Sequence, residues 1–241
     1  MSRAVLHIGL HKTGTSFIQR RIEASRASLP YGYSIIPYKN RALGDLVKNT
    51  RKIRSLKQAM AERENITARA ARLAWICRKQ QHTLISHEDI LGPVPTRGNI
   101  RGLYPYVQEM LPAVLAGFAR EGVRVEVAVY RREYNDWLGS VFRYRFRDNP
   151  DRTFRPRRFK ENNALPENWD EFTERLQESV AGNPLHIVSF ERDRASGNHG
   201  TGLYSIFGLT NAVQADFVPM AAQNVTDFAT VDPKWFESRV A

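Results

Sequence analysis

Cysteine occurs once in 241 residues, at Cys77. That excludes an internal disulfide and a cysteine-only metal centre. Cys77 shares a helical spacing with Leu73 and Ile76, so a packed thiol is expected rather than a nucleophile. Long apolar runs are missing too. None approaches the roughly 18 residues that a membrane span needs. The apolar stretch after Arg3 stops at Ile8, short of a secretory signal, so the expected compartment is the cytoplasm. In that setting the Asn-x-Thr triplets at Asn65 and Asn224 are expected to stay unglycosylated. Negative charge is scarce: 25 Asp and Glu stand against 36 Lys and Arg, a formal net charge of +11. That surplus calls for an anionic ligand, polymer or surface. Zinc-finger, basic-zipper and RNA-recognition patterns are lacking, so nucleic acid is not an expected partner. Repeats and low-complexity linkers are lacking as well. With 42% hydrophobic residues, residues 1–241 read as one domain with a real core.

The most informative stretch runs from Leu6 to Gln19 and reads as strand, glycine-bearing turn and helix. Arg3 to Ile8 supplies a buried strand. Gly9 and Gly14 stand where a side chain would obstruct close approach. Thr13 or Thr15 can cap a helix continuing through Phe17, Ile18, Ile22 and Ala24. A helix start offers unpaired backbone N–H groups and a positive dipole end. With Lys12 and the hydroxyls of Thr13, Thr15 and Ser16 beside them, these donors form an anion cradle suited to phosphate or sulfate. The glycines have the spacing of the ordinary phosphate loop, G-x-x-x-x-G-K-[ST], but Thr15 stands where its lysine belongs and the lysine comes earlier, at Lys12. The bland alternative is a tight turn with no ligand. A lysine and three hydroxyls exceed what such a turn requires.

Further strands are expected at Tyr33–Ile36, Thr83–Ser86, Val123–Tyr130 and Pro184–Glu191, the last as a core strand. Residues 40–81 read as a basic helical insertion with eleven Lys or Arg against three Asp or Glu. It should form two helices broken near Asn65, with Ile53, Leu56 and Met60 on one face. Its charge reads as a solvated face before a substrate wall. Ile100 to Phe118 reads as a helix interrupted by Pro105 and Pro112. Trp137 to Phe142, Trp169 to Val180, and Leu203 to a stop at Gly208 suggest further helices. Arg143 to Lys160, with eight Lys or Arg and two Asp, reads as a surface loop or lid. Strands alternating with helices give the expected class: a three-layer α/β/α fold with a mainly parallel sheet, of the P-loop nucleotide-binding type.

A second binding element follows the fourth strand. An arginine leaving a strand and a serine two turns into the next helix can converge on one phosphate, the arginine as a planar charged fork and the serine as a hydroxyl donor. Arg132 and Ser140 have that spacing, and Arg131 is one residue further away. The first stretch, H-x-G-x-x-K-T-G-T-S-x-x-Q, resembles the 5′-phosphosulfate loop of sulfotransferases that use 3′-phosphoadenosine 5′-phosphosulfate (PAPS). The second resembles the 3′-phosphate element of the same family. Its Arg-Arg pair followed by Asp-Trp-Leu is similar to bacterial members in which the first arginine serves, so both registers stay open.

The resemblance covers most of the chain from Val5 to about Gly208. It implies a sulfotransferase with PAPS as donor and no metal; nor does any ligand cluster in the sequence suggest one. The donor would contact His11, Lys12, Thr13, Gly14, Thr15, Ser16, Arg131, Arg132 and Ser140. Lys12 would stabilise charge on the leaving nucleotide. Glu88 is the first choice for the base that accepts the acceptor's proton, His87 the second and Glu23 the third. His7 reads as a packed strand histidine. The late G-x-x-G-x-x-K segment of cytosolic members has no counterpart here, and Gln223-Asn224-Val225-Thr226 is at best a vestige of the bacterial tail. The acceptor is expected to be a carbohydrate or cell-surface glycan, with small molecules and lipids open. The competing readings are a P-loop kinase or other phosphotransferase, and a non-catalytic basic protein that binds nucleic acid or glycan.

Overall fold

The computed structural model describes residues 2–96, 100–149, 152–195 and 199–218. The element order is β1 (Arg3–His7), α1 (Thr15–Ala24), β2 (Tyr33–Ile36), α2 (Arg41–Thr50), α3 (Leu56–Ala61), α4 (Arg63–Cys77), β3 (His82–Ser86), α5 (Val107–Arg120), β4 (Arg124–Arg131), α6 (Tyr134–Arg145), α7 (Pro156–Asn163), α8 (Asp170–Ser179), β5 (Leu185–Ser189), α9 (Phe190–Ala195), α10 (Thr201–Phe207) and α11 (Asn211–Ala215). The five strands form one all-parallel sheet in the order β2-β3-β1-β4-β5.

Strand alternation divides the core into two layers. Val5, Leu84, Ala128 and Tyr130 pack with Ile18 and Ile22 of α1 and Leu203, Tyr204 and Phe207 of α10. Their neighbours Leu6, Ile85, Val127 and Val129 turn to the other face and join Leu43, Ile66, Leu73, Phe118, Trp137 and Phe172. Burial on both faces is why the middles of β1, β3 and β4 are apolar, at Ala4 to Leu6, Leu84 and Ile85, and Val127 to Tyr130. Glu126, the one carboxylate in these three strands, is held by Arg3 Nε at 2.7 Å and His186 Nε2 at 3.0 Å. Those hydrogen bonds, Arg3 foremost, pull its carboxyl down to about 2 against the cost of burial. Phe118 is fully buried, and Phe118→Ala should cost about 3–5 kcal/mol.

Several sequence expectations need correction. Residues 41–77 form three helices, and the break before the last falls at Glu62 rather than Asn65. Ile53 lies in the turn before α3, while Leu56 and Met60 are more than half exposed, so the three do not share a packed face. The helix expected from Ile100 begins only at Val107, and Pro112 sits inside it. The expected loop from Arg143 to Lys160 begins inside α6 and ends inside α7. β5 is an edge strand with Ile187 38% exposed, and the chain turns helical at Phe190. Cys77 is buried, and desolvation pushes its thiol up to about 12, which suits packing and not nucleophilic attack. No described helix is long and apolar enough to cross a membrane.

The strand order creates one special place. From β1 the chain goes to β2 and β3 on one side, then returns to lay β4 on β1's other side. The loops after β1 and β4 therefore diverge at the carboxyl edge of the sheet. Open parallel sheets place ligands in such a crevice.

Candidate active site

The loop from Gly9 to Gly14 lies at that crevice. Its glycines answer first to the protein's own packing. A Cβ on Gly9 would stand 2.2 Å from Thr15 Oγ1, and one on Gly14 would stand 2.3 Å from His199 Nε2. Gly14, at φ 78°, is the N-cap of α1, with no side-chain cap, so neither Thr13 nor Thr15 caps the helix as expected. Thr13 instead donates from Oγ1 to the Leu10 carbonyl at 2.5 Å. Thr15 is buried against Gly9 with its Oγ1 unmatched among the described residues, and Ser16 is exposed.

Backbone donors remain open. Among the described residues, no acceptor pairs with the N–H groups of Lys12, Thr13, Gly14, Thr15 and Ser16. Lys12 holds φ 70°, a left-handed conformation that a non-glycine residue adopts at a cost of about 1–3 kcal/mol. Its Nζ lies 4.9 Å from the centre of the Tyr144 ring.

The loop is braced from behind. The His11 backbone N–H donates to the Tyr104 hydroxyl at 2.9 Å. The same hydroxyl meets His11 Nδ1 at 2.9 Å, and Nε2 meets Asp89 Oδ1 at 3.1 Å. A hydroxyl donating to Nδ1 and an Nε2–H donating to Asp89 satisfy this chain with a neutral imidazole. Trp137 Nε1 donates to the His11 carbonyl at 2.9 Å. Both ring nitrogens of His11 are engaged, so it buttresses the loop and its ring is not free for an anion. Burial opposes the charge of Asp89, yet the His11 hydrogen bond and the nearby Arg51 guanidinium, with Nε 3.6 Å from Oδ2, outweigh it and hold the carboxyl below its usual range.

Four charged groups converge in front of the loop. Burial lowers the pKa of Lys12; Glu88 opposes that shift, and Arg132 and Arg143 add to it. Burial and the nearby Arg132 likewise lower Arg143, against the opposing charge of Asp136. Burial also lowers Arg132, with Asp136 and Glu191 opposing. Arg131 ends β4 with its side chain exposed, whereas Arg132 is half-buried in this group and lies over the Phe190 ring at 5.1 Å. A cavity of about 380 Å³ lies beside it, lined by Arg132, Asp136, Phe190, Glu191, Arg194 and Ala195. Asp136, Ser140 and Arg143 follow a helical i, i+4, i+7 spacing on α6, so they share one face of it. Ser140 therefore sits between two residues of this group.

Arg143 was missed by the sequence reading, which assigned it to a loop. Its spacing of three from Ser140 was the available signal. Tyr104 was missed for a deeper reason: it brackets the loop only because the chain turns there, with φ 47° at Tyr104 and 91° at Gly102.

The candidate bases separate clearly. Glu88 is partly exposed on the loop after β3 and interacts electrostatically with Lys12. His87 is buried, stacked on Tyr38 at 4.9 Å, and its Nδ1 accepts the Asp89 N–H at 3.1 Å. Burial above all drags its pKa down to about 4. The one ring nitrogen that could take a proton is thus already occupied. Glu23 is exposed near the far end of α1, about 12 Å along the axis from the loop. His11, Glu88 and Asp89 place one potential metal-ligand atom each within 4.8 Å of one another. The linear sequence hides that grouping because it joins two loops, and His11 and Asp89 are already bonded within it.

No protein-family model and no curated protein matches this chain.

Proposed function

We propose that the crevice between the β1 and β4 loops is a P-loop-like nucleotide site, and that the protein is a PAPS-dependent sulfotransferase acting on a hydroxyl or amine. The observation that carries this reading is a convergence. Five open backbone N–H groups and Lys12 come from one side of the strand-order switch, and Arg132, Ser140 and Arg143 from the other. Two separate cationic subsites suit a nucleotide with phosphate at both ends. The residues fit such a donor: the backbone donors of the loop are unspent among the described residues, and Lys12 stands beside them.

The donor supplies an activated sulfuryl group. Lys12 and the amides of Thr13 to Ser16 would hold its 5′ end and stabilise the charge that grows on the leaving phosphate. Arg132 and Ser140 would take the 3′-phosphate. Arg131 is the less suitable register because its side chain turns outward. Arg143 is near enough to both Lys12 and Arg132 to interact with their charges. Phe190 offers an apolar surface beside Arg132. Glu88 is the group on the acceptor side able to accept a proton, while His87 and His11 hold the loops rigid. The remaining catalysis is positioning.

Calorimetric titration at fixed salt with 3′-phosphoadenosine 5′-phosphate, ATP and a DNA duplex tests the reading. Tightest binding of the first, without magnesium, is expected. Preference for ATP with magnesium would favour a phosphotransferase, and preference for the duplex a nucleic-acid binder.

A further inference from the structure

A second basic cavity lies on the neighbouring face of α6. It has a volume of about 380 Å³ and is lined by Phe142, Arg145, Phe146, Arg152, Arg155, Arg158 and Phe159, with Thr153, Asn162 and Asn163 completing it. That volume falls in the range of small-molecule sites, about 300–1,000 Å³. Its floor is rigid. Phe142 packs against Phe146, Phe154 and Phe159 with ring centres 4.7, 4.8 and 5.3 Å apart. Phe154 and Phe159 are buried.

Four guanidiniums surround this floor. Arg152 lies 4.0 Å over the Phe146 ring, and Arg145 lies 5.4 Å from the same ring centre. Arg145 also donates to Asn163 Oδ1 at 2.6 Å, which fixes its head. Burial first, and Arg152 second, lower the pKa of Arg145, so these two cations are close enough to repel. Neighbouring cations elsewhere do have acids: Arg147 pairs with Asp148, Arg157 with Glu161 and Lys160 with Glu167. Among the described residues, no carboxylate pairs with Arg145, Arg152, Arg155 or Arg158. Gathering four uncompensated guanidiniums over an apolar floor costs stability, and a bound anion would relieve it.

The position links the cavity to the transfer site. Phe142 and Arg143 are adjacent on α6, and Ser140 and Phe146 are about 9 Å apart along its axis. We infer that this cavity is an acceptor subsite for a ring carrying carboxylate or sulfate, so that the acceptor is a polyanionic carbohydrate held by a charged unit next to the one that reacts. The apolar floor would meet the ring's C–H face, and the arginine forks its anionic groups. This rests on the sulfotransferase reading of the crevice.

The test is titration of the whole protein with a sulfated, uronate-containing tetrasaccharide, and with a neutral tetrasaccharide as control. The variants are Arg152→Ala/Arg155→Ala/Arg158→Ala and, matched for charge, Lys48→Ala/Lys52→Ala/Lys57→Ala on the α2–α3 segment. All six side chains are exposed, so both proteins should fold. We expect the arginine variant to lose about 10²-fold in affinity for the charged tetrasaccharide, against less than about 3-fold for the lysine variant, with binding of 3′-phosphoadenosine 5′-phosphate unchanged in both. Equal losses in the two variants would mean unspecific attraction to a basic protein and overturn the inference. So would equal affinity for the neutral sugar, or no loss in the arginine variant. Failure of wild-type protein to bind the nucleotide would instead sink the crevice reading, whatever the tetrasaccharide does.

Discussion

Two faces of α6 carry positive charge in different ways. On the crevice side, Lys12, Arg132 and Arg143 are partly buried and answered by Glu88, Asp136 and Glu191. On the cavity side, Arg152, Arg155 and Arg158 are exposed and no described carboxylate answers them. Partial burial strengthens each charge and keeps salt from screening it, but it requires nearby counter-charges to hold the cluster together. Such an arrangement is preorganised, which is what stabilising a transient charge needs. The exposed group is cheaper to fold and easier to screen, which suits reversible capture of an anionic ligand. The two proposed roles differ in the same way, transfer chemistry for the crevice and docking for the cavity.

The largest expected effect tests the acid in the crevice. Glu88→Gln preserves shape but cannot accept a proton, so kcat should fall by about 10²–10⁴-fold while nucleotide affinity survives. Single-turnover sulfation and a melting curve on the same variant check this. A destabilised variant with normal turnover would reduce Glu88 to a partner of Lys12 and blur the distinction between the faces.

Next comes Lys12→Ala. The side chain packs against Tyr144 and is half-buried, so the fold should persist while kcat with PAPS drops by about 10²-fold or more. Wild-type turnover in this variant would remove the chemistry from the crevice altogether.

Smaller still are the arginines. Arg132→Ala should weaken 3′-phosphoadenosine 5′-phosphate by roughly 1.5–3 kcal/mol relative to adenosine 5′-phosphate, the usual worth of a charged hydrogen bond. Arg131→Ala, losing an exposed side chain, should change that difference little. The opposite ranking would reassign the register and move the 3′-phosphate out of the half-buried cluster.

The smallest effect concerns the histidines behind the loops. His7, fully buried against Ser86 and Tyr130, has its pKa lowered to about 3, by burial foremost, and His87 to about 4. Both stay neutral when folded and charge in the unfolded chain below its ordinary value of 6.5. The unfolded state therefore binds more protons from about 6.5 downward, and stability falls as pH drops through that window. The slope is at most about 1.4 kcal/mol per pH unit for each histidine. Melting temperatures of wild type and His87→Gln between about pH 7 and pH 5 check this. An unchanged pH slope in His87→Gln would show that its ring is not held neutral by burial.

Sequence alone determined four of the five strands and the α/β layering. Short apolar stretches bounded by turn residues made β2 legible to the residue and β1, β3 and β4 to within one or two, whereas β5 was expected in the core and lies at the edge. The sequence also located Lys12 and the open turn, because glycines, a lysine and a helix start within ten residues are a local pattern. Tertiary structure decided the rest. Tyr104 reaches His11 through backbone turns with positive φ that no periodicity records. His11 changed from a ligand candidate to a buttress because Asp89, 78 positions away, takes its Nε2. Arg131, the last residue of β4, is exposed and Arg132 is half-buried among the crevice charges, a difference that spacing does not record. Arg143 and Arg145 point to different faces of α6, and the chain from Arg152 into α7 brings Arg152, Arg155 and Arg158 to the cavity beside Arg145. A linear run of basic residues carries no record of which charges meet, since desolvation and counter-charge belong to the folded surroundings and not to the residue.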